Sequence, residues 1–183
     1  MSEQRLLPLR GLAQPGRFGA ATAEAGVEFS ILHPVSLVQV LARQGGGKKL
    51  AEALAKLKSI MVMQAGPEQY FVQASGQPEG ALFADLKKKL DGMASVVDQS
   101  HGRVVIVLAG VKSRAVLAKG TPVDFHADHF AIGQSAFTQM AHVGVHVTRS
   151  GADEFTLSVF RGFSESLWEW LYSQAAEFGY QVK

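Results

Sequence analysis

Apolar residues recur along this chain at spacings that change between those of strands and those of helices. Residues 103–108 are almost all β-branched or aliphatic, which predicts a strand buried on both faces. Residues 27–32 alternate between apolar and polar and end at His33-Pro34, which predicts a second strand. Short apolar runs on both sides of Gly66-Pro67 predict a hairpin of residues 60–63 and 69–73. Helical spacing predicts helices at 35–43, around Leu50, Leu54 and Leu57, and at 81–90, 111–117 and 163–178.

Two stretches of the chain, residues 60–90 and 145–175, match each other without a gap at an offset of 85 positions. A weaker match at an offset of 76 places Phe29 over Val105 and Val40 over Val116. Each copy then contains a strand, a helix, a hairpin and a helix. The expected fold is therefore α+β, with two similar halves whose mostly antiparallel sheets are covered by helices.

Residues 1–25 are rich in Gly, Ala and Gln and show no periodicity, so we expect an N-terminal arm. Residues 26–183 then form one compact domain with pseudo-repeats at about 26–95 and 96–183. The arm offers little apolar area for a core, whereas Leu6, Leu7 and Leu9 could lie along a neighbouring protein. We therefore expect the arm to stabilise an assembly more than the fold.

The last predicted helix carries a central apolar stripe and two aromatic residues at its margins. The stripe is formed by Leu167, Leu171, Ala175 and Phe178, and Trp168 widens it to one side. Trp170 and Tyr172 fall at the two margins, where an aromatic ring with a polar group is only half covered. Two interpretations remain: a contact surface for a partner, or the edge of this chain's own core.

Composition excludes several classes of function. Of the 183 residues 47% are hydrophobic, the formal net charge is only +2, and cysteine is absent. Without cysteine there are no disulfides, thiolate metal sites, iron–sulfur clusters or cysteinyl flavin links. The lysines fall on the polar faces of predicted helices, and no apolar stretch approaches about 18 residues. We expect a cytoplasmic protein that binds neither nucleic acid nor membranes.

Most catalytic motifs are missing. In the glycine-rich segment at 45–49, Ala42 stands where a phosphate-binding loop needs its first Gly, and Lys49 where it needs Ser or Thr. Neither a Gly-x-Gly-x-x-Gly after a predicted strand nor a Gly-x-Ser-x-Gly elbow occurs in the sequence. The chain is therefore not expected to hold a dinucleotide or to form an acyl-enzyme.

Histidines and aspartates near residues 124–146 are the one group that resembles a metal site. HVGVHV reads as a strand, in which residues four apart lie about 13 Å from each other, too far to share one ion. The aspartates of the preceding turn are expected to bond backbone amides. We therefore expect no metal at these residues, which are Asp124, His126, Asp128, His129, His142 and His146.

Asp98, Ser100 and His101 are the side chains that most resemble a catalytic relay. Neighbours in an extended strand point to alternate faces, so these three cannot form a triad among themselves. The favoured interpretation is that they cap the entry to the strand through bonds to backbone amides.

Longer sequence features point to a family. Residues 96–120 read VVDQSHGRVVIVLAGVKSRAVLAKG, with an Asp-x-Ser-His approach to a strand and a helix ending in Leu-Ala-Lys-Gly. Residues 122–126 form a Pro-x-Asp-x-His turn, and residues 167–171 read Leu-Trp-Glu-Trp-Leu. Over about residues 97–179 the chain resembles the gamma subunit of heterotetrameric sarcosine oxidase, whose fold is related to the folate-binding fold of the glycine-cleavage T-protein.

This resemblance implies a non-catalytic small subunit that supports the folate-binding large subunit in the oxidative demethylation of sarcosine or another N-methyl amino acid. The implied partners are alpha, beta and delta subunits. FAD, FMN, NAD and tetrahydrofolate would be bound by those partners, and this chain would hold no cofactor.

The resemblance also implies a loss of catalytic groups. Active T-proteins carry paired aspartates before the strand that corresponds to Val145, and their places here are Val143 and Gly144. Neither residue can donate or accept a proton. Two alternatives remain: a stand-alone folate-dependent one-carbon transferase that uses Asp98 and His101, and a regulatory module that binds a small ligand.

Overall fold

The computed structural model describes residues 8–21 and 24–183. The strands are β1 Gly16–Phe18, β2 Val27–Leu32, β3 Val35–Ala42, β4 Met61–Gly66, β5 Gln69–Ser75, β6 Ala94–Asp98, β7 Arg103–Ala109, β8 Ser135–Met140, β9 Val143–Arg149, β10 Glu154–Phe160 and β11 Tyr180–Val182. The helices are α1 Gly47–Ala55, α2 Ala81–Lys89, α3 Ser113–Ala118 and α4 Ser164–Ala175, and short 3₁₀ turns flank α4 at Arg161–Phe163 and Ala176–Phe178.

The strands form two sheets. The larger has the order β1-β11-β2-β7-β10-β9-β8, and the smaller has the order β4-β5-β3-β6. Neighbouring strands are antiparallel except β11 and β2, which run parallel. The predicted α+β class with mostly antiparallel sheets is confirmed.

Three apolar clusters order these elements into four layers. The first joins the larger sheet to α3 and α4, with Trp168 and Phe29 among its members. The second joins the smaller sheet to α1 and α2. The third lies between the sheets, where Leu37, Met63 and Phe71 of the smaller sheet meet Val105 of the larger. Each sheet is thus covered by helices on one face and by the other sheet on the opposite face.

The two halves repeat one order of elements. The first half is β3-α1-β4-β5-α2-β6, and the second is β7-α3-β9-β10-α4-β11 with β8 added. Both ends of β10 lie 85 residues after those of β5, which is the offset of the stronger sequence match. In the first half β6 pairs directly with β3, whereas in the second half β2 lies between β7 and β11. The weaker match is wrong at Val40, because this residue lies in strand β3 whereas Val116 lies in helix α3.

The predicted helix at residues 35–43 is also wrong, because this segment is strand β3. β3 lies between β5 and β6, so both of its edges are paired, and both of its faces are covered as well. Val38 and Val40 contact the helix side, while Leu37 contacts the other sheet. Burial on two faces fills the segment with apolar residues, and such a run satisfies helical spacing as well as a strand.

The N-terminal segment packs against the domain from residue 8 onward. Leu9 is only 6% exposed and belongs to the core of the larger sheet. β1 pairs with β11, and the backbone at Gly19 passes so close to Ala176 that a Cβ there would lie 2.5 Å from its carbonyl oxygen. The expectation that Leu9 contacts a neighbouring protein is therefore wrong, whereas Leu6 and Leu7 lie outside the described residues.

Within residues 8–21 and 24–183, no helix is long and apolar enough to span a membrane.

The burial of Leu9 leads to a stability prediction. We expect Leu9→Ala to lower the free energy of unfolding by about 2 kcal/mol or more, because it removes buried methyl groups and leaves a cavity. Leu12→Ala is the control, since Leu12 is 45% exposed and should change stability by less than about 0.5 kcal/mol. Urea unfolding of the two variants checks this, and equal losses would contradict the assignment of Leu9 to the core.

Candidate functional site

Asp98, at the end of β6, holds the turn that leads into β7. Its Oδ1 accepts hydrogen bonds from the Ser100 backbone N–H at 2.9 Å and from the Ser100 hydroxyl at 2.6 Å. The same hydroxyl oxygen accepts a bond from the Leu37 N–H, which ties the turn to β3. His101 is exposed and its Nε2 lies 2.7 Å from Glu79. The structure thus confirms the capping interpretation for Asp98 and Ser100, and His101 faces away from them toward Glu79.

The second candidate group, at residues 124–129, forms an exposed turn. Asp124 bonds the His126 N–H at 2.8 Å through one carboxylate oxygen and the His129 ring through the other. The hydrogen bond from His129, followed by the one from His126, lowers the pKa of Asp124. His142 lies in the two-residue turn between β8 and β9, while His146 is buried in β9. In the described part of the chain, no three ligand-type side chains are placed to hold a metal ion.

His146 lies in the layer between the two sheets. It is 1% exposed, and its Nε2 lies 2.8 Å from the carbonyl oxygen of Gln64, so this nitrogen carries the proton and donates it. Its ring meets Phe71 edge-on at 5.1 Å between ring centroids. Burial lowers the pKa of His146 and the nearby Arg103 cation lowers it further, against the opposing hydrogen bond to Gln64. A neutral His146 therefore joins β9 to β4 across the sheet interface.

Arg103, the first residue of β7, lies in the same layer and was not identified from the sequence. It is 5% exposed, and its guanidinium lies 4.0 Å from the Phe160 ring centroid and 4.8 Å from that of Phe71. Its buried Nε and Nη1 have no hydrogen-bond partner among the described residues, and neither do Gln73 Oε1 and Ser158 Oγ nearby in the layer. A charged residue at the start of a strand normally reaches solvent, so nothing in the local pattern indicated this burial.

The aromatic margins of α4 are placed as the sequence predicts. Leu167, Leu171 and Ala175 form the inner face of the helix and are fully buried. Trp170 is partly buried and packs closely over Gly120. A Cβ added at Gly120 would lie 2.4 Å from the Trp170 indole. Tyr172 is 38% exposed on the other margin and faces Tyr180. The two rings thus flank the helix, with α3 on one side and β11 on the other.

Comparison with known proteins agrees with this architecture. A solved heterotetrameric sarcosine oxidase from Corynebacterium sp. U-96 contains a chain that matches this one with a TM-score of 0.75 and 24% identity, covering 86% of this chain and 87% of that one. The aminomethyltransferase T of the glycine cleavage system from Bartonella henselae matches with a TM-score of 0.62 and 21% identity, covering 84% of this chain and 50% of that one. These two likenesses establish the fold.

Sequence comparison identifies the family. The gamma subunit of sarcosine oxidase from Corynebacterium sp. strain P-1 is 29% identical in an alignment of 155 positions that covers 77% of this chain and 75% of the relative. The model of the sarcosine oxidase, gamma subunit family matches residues 13–177. The chain belongs to the sarcosine oxidase gamma subunit family. The resemblance stated from the sequence is confirmed.

Within this gamma-subunit fold, Val143 and Gly144 open strand β9 on the side of the β8 hairpin. Val143 is 8% exposed and pairs with Met140 across the turn. A Cβ at Gly144 would lie 3.5 Å from the Phe137 ring, which is an ordinary contact distance. The position therefore has room for a Cβ and carries none.

His146 gives this gamma-family chain a pH-dependent stability. Its pKa is lowered in the folded state, so the unfolded chain binds more protons below about pH 6.5. Stability is complete above that pH and decreases as the pH falls toward the folded pKa, by at most about 1.4 kcal/mol per pH unit. We expect His146→Gln to flatten this slope in urea unfolding at pH 7.5 and 5.5. His101→Gln, at an exposed histidine, should keep the wild-type slope, and a wild-type slope in His146→Gln would contradict the assignment.

Proposed function

We propose that this chain is the non-catalytic gamma subunit of a heterotetrameric sarcosine oxidase, or of a related complex that oxidises another N-methyl amino acid. The observation that carries the proposal is the family match over residues 13–177, which covers nearly all of the described chain. The Corynebacterium sp. strain P-1 gamma subunit, at 29% identity, and a solved sarcosine oxidase chain of the same fold support it.

The proposal assigns the cofactors to other chains. Alpha, beta and delta subunits would carry FAD, FMN, NAD and tetrahydrofolate, and this chain would support the large subunit that binds folate. The sequence supports this division, since it has no glycine-rich dinucleotide turn and no cysteine for a flavin link. The cytoplasmic location expected from the sequence is part of the same proposal.

The absence of catalysis in this chain is proposed from three residues. Asp98 uses one carboxylate oxygen for both bonds of its turn, and Val143 and Gly144 have no group that exchanges protons. General acid–base catalysis contributes on the order of 10²–10⁴ in rate, so a chain without a positioned acid or base would lose most of that factor.

The partner surface is proposed to include the aromatic margins of α4. Trp170 and Tyr172 present partly uncovered rings on the two sides of a helix whose central stripe is fully buried. Aromatic residues with a polar group are enriched at protein interfaces. Leu9 has no part in this surface, because its side chain lies in the core.

Assembly can be tested by expressing the tagged chain in its native host and identifying the captured proteins. We expect flavin-containing large subunits in fixed stoichiometry with the wild-type chain. Trp170→Ala and Tyr172→Ala should each reduce the captured amount at least about 10-fold, the loss of a contact worth about 1.4 kcal/mol. Phe137→Ala is the control, since Phe137 is an exposed ring on strand β8. Undiminished capture by both folded variants would exclude α4 from the interface.

A measurement of tetrahydrofolate binding distinguishes the proposed subunit role from the alternative of a stand-alone transferase. We expect the purified chain to show no micromolar binding of tetrahydrofolate by calorimetry. Asp98→Asn should lower the free energy of unfolding by up to about 1 kcal/mol, through weaker bonds to Ser100, and leave the turnover of the complex unchanged. Micromolar binding that Asp98→Asn abolishes would instead support the transferase.

A further inference from the structure

A pocket of about 260 Å³ lies between α4 and the N-terminal segment. Its aromatic wall is formed by Phe18, Trp168, Tyr172 and Tyr180, and Glu169 stands at its side. We name these five residues the aromatic pocket. Leu12 and Gln14 of the N-terminal segment complete the opposite wall.

Three rings of the aromatic pocket, those of Phe18, Tyr172 and Tyr180, lie with their faces roughly parallel, whereas Trp168 meets Tyr172 edge-on at 62°. Tyr172 and Tyr180 are 6.5 Å apart between centroids with 30° between their planes, and Phe18 and Tyr180 are 5.5 Å apart at 28°. Phe18 is 41% exposed and Tyr172 38%, so part of each ring remains uncovered. Ring faces carry negative electrostatic potential, which attracts cations and planar guanidinium groups.

The charge of the pocket also favours a cation. Among the described residues, Glu169 is the only carboxylate in its lining, and no Lys, Arg or His lines it. Burial, and secondarily the neighbouring Tyr172, raises the pKa of Tyr180, so the phenol stays neutral at pH 7. Among the described residues Glu169 forms no ion pair or hydrogen bond, and its carboxylate remains available to a cation.

Elsewhere the chain supplies its own cations to aromatic rings. Arg103 lies over Phe71 and Phe160, and Lys119 lies over Phe178 at 4.8 Å. No cation of the described chain is placed over Phe18, Tyr172 or Tyr180 in this way. The aromatic pocket thus offers rings and a carboxylate that could hold a cation, and no cation of the described residues lies over those three rings.

We propose that the aromatic pocket binds an arginine side chain presented by a neighbouring subunit of the complex, with the guanidinium stacked on Tyr172 and paired to Glu169. The inference rests on the proposed function, because the neighbouring subunit supplies the side chain. A protein partner fits better than a small free cation, since Leu12, Phe18 and Tyr172 are exposed apolar side chains at the pocket that a small ion would leave uncovered. Tyr172 also belongs to the proposed partner surface on α4, so the pocket continues that surface.

The test compares two carboxylates of one helix in tagged full-length chains expressed with their native partners. Glu169→Gln keeps the shape of the pocket and removes its charge, whereas Glu165→Gln changes an exposed residue one turn earlier that does not line it. We expect Glu169→Gln to reduce capture of the large subunits at least about 5-fold at 50 mM salt, with a smaller effect at 500 mM, where charge pairs are screened. Glu165→Gln should capture as the wild type does, and both variants should melt within 2 °C of it.

Three results would overturn the inference. Wild-type capture by Glu169→Gln together with reduced capture by Tyr172→Ala would mean that the pocket takes an uncharged group, while the proposed function would stand. Micromolar binding of agmatine to the purified chain, with capture by Glu169→Gln unchanged, would mean that the pocket serves a free cation. Failure of the wild-type chain to capture any large subunit would contradict the proposed function. It would also contradict this inference, because no neighbouring subunit would then supply the arginine.

Discussion

The face-to-face packing of the two sheets is the contact on which the rest of this structure depends. Leu37, Met63 and Phe71 meet Val105 there, and His146 bonds across the interface to the backbone of Gln64. Because each sheet is covered by helices on its other face, the central strands have no face toward water. This constraint explains why β7 is an almost continuous apolar run after Arg103, and why the helices carry single apolar stripes.

The same interface holds the polar groups that are least favourable for stability. Arg103, Gln73 and Ser158 are buried there with atoms that have no partner in the described part of the chain, and each such group costs about 1–3 kcal/mol. Contacts of the Arg103 guanidinium with Phe71 and Phe160 return about 0.5–2 kcal/mol each. The layer between the sheets therefore contains polar groups that oppose folding, and specific contacts such as that of His146 join the two sheets across it.

The position of β2 connects the fold to the proposed partner surface. In the second half β2 separates β11 from β7, which moves β11 toward the edge of the larger sheet, where β1 pairs with it. Tyr180 of β11 then lies beside Phe18 of β1 and opposite Tyr172 of α4. A departure from the repeat of the first half thus creates the aromatic pocket, and the catalytic-looking residues at 98–101 lie elsewhere, at the end of the smaller sheet.

The sequence by itself determined the hairpin β4–β5, its copy β9–β10, the stripes of α2 and α4, and the turn at Asp98, because each depends on residues close together in the chain. Family membership also followed from it, since motifs over residues 97–179 are linear features. Only the tertiary structure decided that residues 35–42 form a strand, that Leu9 lies in the core, and that Arg103 is buried. These three depend on which surface covers a segment from the far side, and local spacing contains no information about that partner.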